Sequence, residues 1–173
     1  MLKSSVALIG FMGTGKTTIG KLLVKKLGGE YQFIEMDQLI EQMAGKSIPE
    51  IFIQDGEVTF REIEIKVCQK VSTLEKVVIS CGGGTVLNKK NVENLKKNCT
   101  IILLESTIET ILNRILKDGI QERPVIDKED PIKEIKNLFY LRKPIYQSVA
   151  DIIIDTENKD KVVVINEIIQ KLN

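Results

Sequence analysis

The chain has 173 residues, 43% of them hydrophobic, with 25 Lys and Arg against 24 Asp and Glu. That size suits one globular domain, 1–173, and the near-neutral balance lacks the basic footprint of a nucleic-acid or anionic-membrane binder. With no histidine, imidazole base catalysis, histidine metal ligation and Ser-His or Cys-His nucleophiles are excluded, so any general base is a carboxylate or a lysine.

No apolar run reaches spanning length, and the one near the start is too short for a signal peptide, so a cytoplasmic protein is expected. Cys68, Cys81 and Cys99 are far apart and form no Cys-x-x-Cys pair, which reads as three small buried apolar residues rather than a disulfide framework or a zinc site.

In chain order, Val6-Ala7-Leu8-Ile9 reads as a strand buried on both faces, ended by Gly10. A helix from Lys16 to Leu27 follows, its apolar stripe being Ile19, Leu22, Leu23 and Leu27. The intervening Gly10-Phe11-Met12-Gly13-Thr14-Gly15-Lys16-Thr17 fits the phosphate-binding loop, whose glycines let backbone N–H groups wrap a phosphate at a helix N-terminus. Gly13, Thr14, Gly15, Lys16, Thr17 and Thr18 are therefore the expected nucleotide contacts. Lys16 reaches the β- and γ-phosphates, and the Thr17 hydroxyl is the expected ligand of a magnesium ion.

After Gly28-Gly29, Gln32 to Met36 reads as a second strand that delivers Glu35 and Asp37 to its C-terminal end. Asp37 could orient or deprotonate an acceptor hydroxyl and Glu35 could hold a metal-bound water, or each could cap a helix or pair with a lysine. Residues 38–74 read as an insertion of interrupted helices that holds a substrate, broken by Gly45, Pro49 and Asp55-Gly56. Arg61, among glutamates, is open to a functional reading and to that of a solvated helix-surface partner.

Val77 to Ser80 is a third strand, running into Gly82-Gly83-Gly84, where the missing side chains suit either close approach of a ligand or a plain tight turn. Thr100 to Leu104 is a fourth strand, followed by a helix from about Ile108 to Leu116. Residues 118–130, polar and holding Gly119, Arg123 and Pro124, have the composition of a lid. Arg123 could close over a γ-phosphate or lie on the surface. A helix from Pro131 to Arg142, a strand from Asp151 to Ile154 and a helix from Lys161 to Leu172 complete the pattern. Arg142, placed before the last strand, could grip a carboxylate or be solvated. The alternation implies a three-layer α/β fold of the P-loop NTPase type, a five-stranded parallel sheet with helices on both faces and ligands at the strands' C-terminal edge.

The phosphate-binding loop, Asp37, Asp55-Gly56-Glu57-x-x-Phe60-Arg61, the triple glycine, Arg123-Pro124 and Arg142-x-Pro144-x-Tyr146 together resemble shikimate kinase over nearly the whole chain. The resemblance implies ATP-dependent phosphorylation of the 3-hydroxyl of shikimate, in chorismate and aromatic amino-acid biosynthesis, with ATP and Mg2+. By it, Lys16, Asp37 and Arg123 are catalytic, and Asp37, Arg61, Gly82, Gly83, Gly84 and Arg142 bind shikimate, the two arginines on its carboxylate. It also implies that Phe52 and Phe60 wall the ring, that Glu64 positions Arg61, and that Arg114 and Arg123 contact the nucleotide, Arg114 near the adenine. Residues 156–160 match an adenine-contacting loop in position alone. Where the family usually has Asp-x-Asp, this chain has Glu35-Met36-Asp37. A kinase of gluconate or another hydroxy acid is the rival enzyme, a non-catalytic nucleotide-binding module the rival of another class, and a monomer without nucleic-acid or membrane partners is expected.

Overall fold

A computed structural model describes residues 3–118 and 130–172. Five parallel strands, β1 (Ser5–Ile9), β2 (Gln32–Glu35), β3 (Val77–Ser80), β4 (Cys99–Glu105) and β5 (Ile152–Asp155), form one sheet in the order β2-β3-β1-β4-β5. β1 lies between β3 and β4, with Leu8 opposite Ser80 and Ile102. Burial follows the two-residue period of a strand: Val6 and Leu8 enter one apolar layer, Ala7 and Ile9 the other. β2 and β5, at the edges, are correspondingly less buried.

Helices α1 (Lys16–Leu27) and α8 (Lys161–Leu172) cover one face, where Gly20 sits so close to Phe33 that a Cβ there would lie 2.5 Å from the ring. The other face packs against α2 (Met36–Ala44), α3 (Ile48–Gln54), α4 (Gly56–Val71), α5 (Lys89–Asn98), α6 (Ile108–Asp118) and α7 (Pro131–Val149). The three-layer architecture is the expected one. Because β1 sends its chain toward β2 on one side while β4 and β5 lie on the other, the loop after β1 occupies the switch point at the C-terminal edge.

Several boundaries differ from expectation. The second strand ends at Glu35, and Met36 and Asp37 begin α2, so Asp37 is on a helix's first turn. Pro49 starts α3 rather than breaking a helix: it lies in the first turn behind a Ser47–Glu50 capping box, where a missing N–H costs nothing. Residues 89–98, read as no element, form α5, capped by the Asn88 side chain on the Lys90 N–H.

The largest correction concerns α7. It runs through Pro144 to Val149, so Arg142 lies within the helix rather than just before β5. Ile135, Phe139, Arg142 and Tyr146 recur at spacings of four, three and four and are all buried, and packing of this face on both sides of Pro144 offsets the lost helical hydrogen bond.

Candidate active site

The loop after β1 is shaped by glycines that nothing else could replace. Gly10, at φ 142°, faces β4 so closely that a Cβ would stand 2.6 Å from the Leu104 carbonyl oxygen. Gly15, at φ 90°, precedes α1, so the first turn of that helix points its free N–H groups into the loop. Lys16 Nζ donates to the carbonyls of Gly10 and Phe11, both at 2.9 Å, and spans the loop mouth. Thr14 is buried, its hydroxyl donating to the Phe11 carbonyl at 2.8 Å, so its side chain shapes the loop from within. Thr18 is exposed on the first turn of α1.

The Thr17 hydroxyl donates to Glu35 Oε2 at 2.7 Å. Glutamate thus spans the gap to α1 despite its extra methylene, and with its proton committed the threonine oxygen keeps lone pairs for a cation. These hard oxygen donors fit magnesium. Among the described residues no group of three or more acidic or cysteine side chains forms a protein-only metal cage, so a magnesium ion here would draw its other ligands from water and phosphate.

Beside this loop lies the turn after β3, and its three glycines are each approached by a different helix. A Cβ on Gly82 would stand 2.8 Å from Asp37 Oδ1, delivered by α2. Gly83 accepts at its carbonyl from the Tyr146 hydroxyl of α7 at 2.5 Å. A Cβ on Gly84 would stand 2.5 Å from Arg61 Nη1, delivered by α4. The Cβ position of Gly83 is also 3.9 Å from the Met12 N–H nitrogen, so this turn abuts the phosphate-binding loop. The triple glycine therefore lets three side chains from three helices pack against one short stretch of backbone.

Burial pushes the Asp37 carboxyl up to about 6, reinforced by the charges of Glu35, Glu64 and Glu41 and opposed by Lys16. A carboxylate so placed is poised to exchange a proton near neutral pH.

Arg61 has one carboxylate partner on the helix surface and one that is buried. It is a helix-surface partner, with Nε and Nη2 donating to Glu57 at 3.2 and 3.0 Å, and it is anchored inward, with Nη1 donating to Glu64 Oε2 at 3.0 Å. Glu64 is only 1% exposed, and its other oxygen accepts from Thr85 Oγ1 at 3.0 Å. Arg61 also lies over the Phe60 ring at 5.0 Å, and Phe60 packs on Phe52 with centroids 4.7 Å apart.

Arg142 is 8% exposed, and among the described residues no carboxylate lies within ion-pair distance of it. Its guanidinium stands beside the Tyr146 hydroxyl, which burial raises above its ordinary pKa while Arg142 opposes the rise. A buried cation without a carboxylate partner is an anion-binding arrangement, because the desolvated charge is costly until paired.

On the far side of the loop, Arg114 Nη1 donates to the Gly13 carbonyl at 3.1 Å, bracing α6 against it. One turn earlier, Glu157 ties the segment after β5 to the start of α6. It accepts from the hydroxyls of Ser106, Thr107 and Thr110 and from the Thr107 N–H, at 2.6 to 3.1 Å. These bonds pull its carboxyl down to about 2, Thr110 contributing most. Arg123 lies outside the described residues, as does the interior of the expected lid at 118–130.

Lys16, Thr17, Asp37, Arg61, Gly82, Gly83, Gly84 and Arg142 thus line the same C-terminal sheet edge. Tyr146 and Thr85 belong to this site too, and the sequence reading assigned them no role. The spacing of Tyr146 four residues after Arg142 on one helix face was a usable signal once α7 was known to continue. Thr85 had none. The three cysteines are buried, as expected, and their thiols are pushed above the ordinary range by burial, with Cys68 at about 12 and Cys99 at about 11.

A phosphate-binding loop, a hydroxyl for a cation, a near-neutral carboxylate and a buried arginine without a carboxylate partner among the described residues are the parts of a P-loop kinase with an anionic acceptor. Comparison with known proteins narrows that class. The shikimate kinase family model matches residues 12–173. Shikimate kinase of Hahella chejuensis is 43% identical over 170 residues, covering 98% of this chain and 86% of the relative. That of Persephonella marina is 41% identical over 168 residues, covering 97% and 98%. Shikimate kinase from Acinetobacter baumannii in complex with shikimate superposes with a TM-score of 0.90 at 32% identity, covering 98% of this chain and 92% of the other. The chain belongs to the shikimate kinase family. A gluconokinase from Sinorhizobium meliloti shares the fold alone, with a TM-score of 0.58 at 14% identity.

Proposed function

We propose that this chain transfers the γ-phosphoryl group of ATP to the 3-hydroxyl of shikimate. The observation that carries the reading is the convergence on Gly82-Gly83-Gly84 of Asp37, Arg61 and the Arg142–Tyr146 pair, beside the phosphate-binding loop.

In this reading the backbone N–H groups from Gly13 to Thr17 and the start of α1 hold the β- and γ-phosphates, with Lys16 moving from the Gly10 and Phe11 carbonyls onto them. Thr17 holds magnesium, with Glu35 orienting the threonine hydroxyl and the metal's water shell. A magnesium ion held there would supply positive charge against what develops on the transferring phosphoryl group. Arg61 and Arg142 grip the substrate carboxylate, and Phe52 and Phe60 wall the ring. Asp37 orients the 3-hydroxyl and takes its proton as the phosphoryl group arrives. Arg123, outside the described residues, is assigned to the γ-phosphate as a further positive charge.

A coupled ADP-release assay with Mg-ATP against shikimate, gluconate, nucleoside monophosphates and a blank tests this. Release with shikimate alone is expected. Release with gluconate instead would move the substrate, and silence throughout would reduce the chain to a nucleotide-binding module.

A further inference from the structure

Thr85 opens the 3-10 turn Thr85–Leu87 after the triple glycine and is fully buried. Its backbone is held twice: its N–H donates to the Gly82 carbonyl at 3.1 Å, and its carbonyl accepts from Asn91 Nδ2 of α5 at 3.0 Å. Its hydroxyl is thereby aimed at Glu64 Oε1, and Glu64 Oε2 in turn holds Arg61 Nη1, each at 3.0 Å. The Cβ position of Gly82 lies 2.8 Å from Asp37 Oδ1, 3.3 Å from Thr85 Oγ1 and 3.6 Å from Glu64 Oε1, so two carboxylates and this hydroxyl crowd around one glycine.

We propose that Thr85 is a positioning residue for the acid substrate: its hydroxyl pins one oxygen of Glu64, which fixes the other oxygen on Arg61 and sets that guanidinium against Gly84. This rests on the reading of Arg61 as a carboxylate-gripping residue. The physical reason is that a buried carboxylate stripped of one donor seeks another. Arg61, with further N–H groups beside Oε2, is the nearest source, and a glutamate that rotates to take both would draw the guanidinium away from Gly84 and toward α4. Valine at 85 keeps the volume and both backbone bonds and loses only the hydroxyl.

Thr85→Val, Thr85→Ser and Arg61→Ala should be compared by steady-state kinetics with shikimate and ATP varied separately, alongside thermal melts. Thr85→Val is expected to raise the shikimate KM about tenfold, as for loss of a hydrogen bond to a charged group, with kcat and the ATP KM held within about twofold. Thr85→Ser should restore the parent KM. If Thr85→Val does not fold, Thr85→Ala takes its place against Thr85→Ser. A shikimate KM unchanged by loss of the hydroxyl, equal rises for shikimate and ATP, or failure of serine to rescue would each overturn the proposal while Arg61→Ala still raises the shikimate KM. An Arg61→Ala variant with an unchanged shikimate KM would overturn the reading of Arg61 itself, and this proposal with it.

Discussion

The two halves of the site are built on opposite plans. The phosphate-binding loop is one contiguous stretch, from Gly10 to Thr17, whose useful groups are backbone N–H donors and whose lysine bonds to its own loop. The half proposed to bind the acid draws on α2, α4, α7 and the turn after β3, and its groups are side chains that contact that turn or other side chains. A site made of backbone is specified by where glycine occurs. One made of side chains depends on helix packing that brings residues more than a hundred positions apart to the same few ångströms. Damage to the first should therefore strike nucleotide chemistry, and damage to the second, the catalytic Asp37 apart, the binding of the acid substrate alone.

The largest break in that division is expected from Lys16→Met, which should lower kcat by about a thousandfold or more even at saturating shikimate, as measured by single-turnover phosphoryl transfer. Next, Arg142→Ala should raise the shikimate KM about a hundredfold while calorimetry finds ATP affinity within about twofold of the parent. Equal losses on both ligands would mean that the two halves are not separable.

Asp37→Asn sharpens the comparison through pH. A carboxyl raised to about 6 in the fold but near its ordinary value when unfolded makes the native state bind the extra proton. Stability therefore falls as pH rises from about 4 to about 6 and stays lower above that, because ionisation is penalised by burial. Asparagine removes the penalty. The ligand-free variant should be more stable than the parent at pH 8 by about 3 kcal/mol, with the gain gone below about pH 4, while turnover is lost. Denaturant titrations at the two pH values check this, and a gain that persisted at low pH would refute it.

Gly84→Ala should raise the shikimate KM about tenfold by pushing Arg61 aside, since the added methyl would meet Nη1 at 2.5 Å, whereas Gly29→Ala, with nothing within 4 Å, should be silent. The smallest effect is expected at Glu157. Its carboxyl is pulled down to about 2, so what it contributes to stability is present above about pH 4.5 and lost as pH falls toward 2. Glu157→Gln should lower Tm by a few degrees at pH 7, the gap closing in acid, with thermal melts across that range as the measure.

Much of the architecture was legible because its signals are short-range. Val6 to Ile9, the glycines after it and the stripe of α1 each announce themselves within a few residues, and the strand and helix periods that imply five covered parallel strands do the same. Pro144 misled because proline's local cost is visible in sequence while the compensating burial of Phe139, Arg142 and Tyr146 is not. Likewise Asp37 looked like the end of a strand, since nothing local says that α2 starts at Met36. α5 went unread because its stripe is only Val92 and Leu95 in a polar run.

By itself, then, the sequence determined the phosphate-binding loop, the α/β order and, through the arrangement of its motifs, the family. Only the tertiary structure decided that Tyr146 holds Gly83, that Thr85 and Glu64 stand behind Arg61, and that Arg142 is buried without a carboxylate partner among the described residues. The reason is physical: backbone conformation responds to neighbours in the chain, whereas the charge and orientation of a buried side chain respond to neighbours in space.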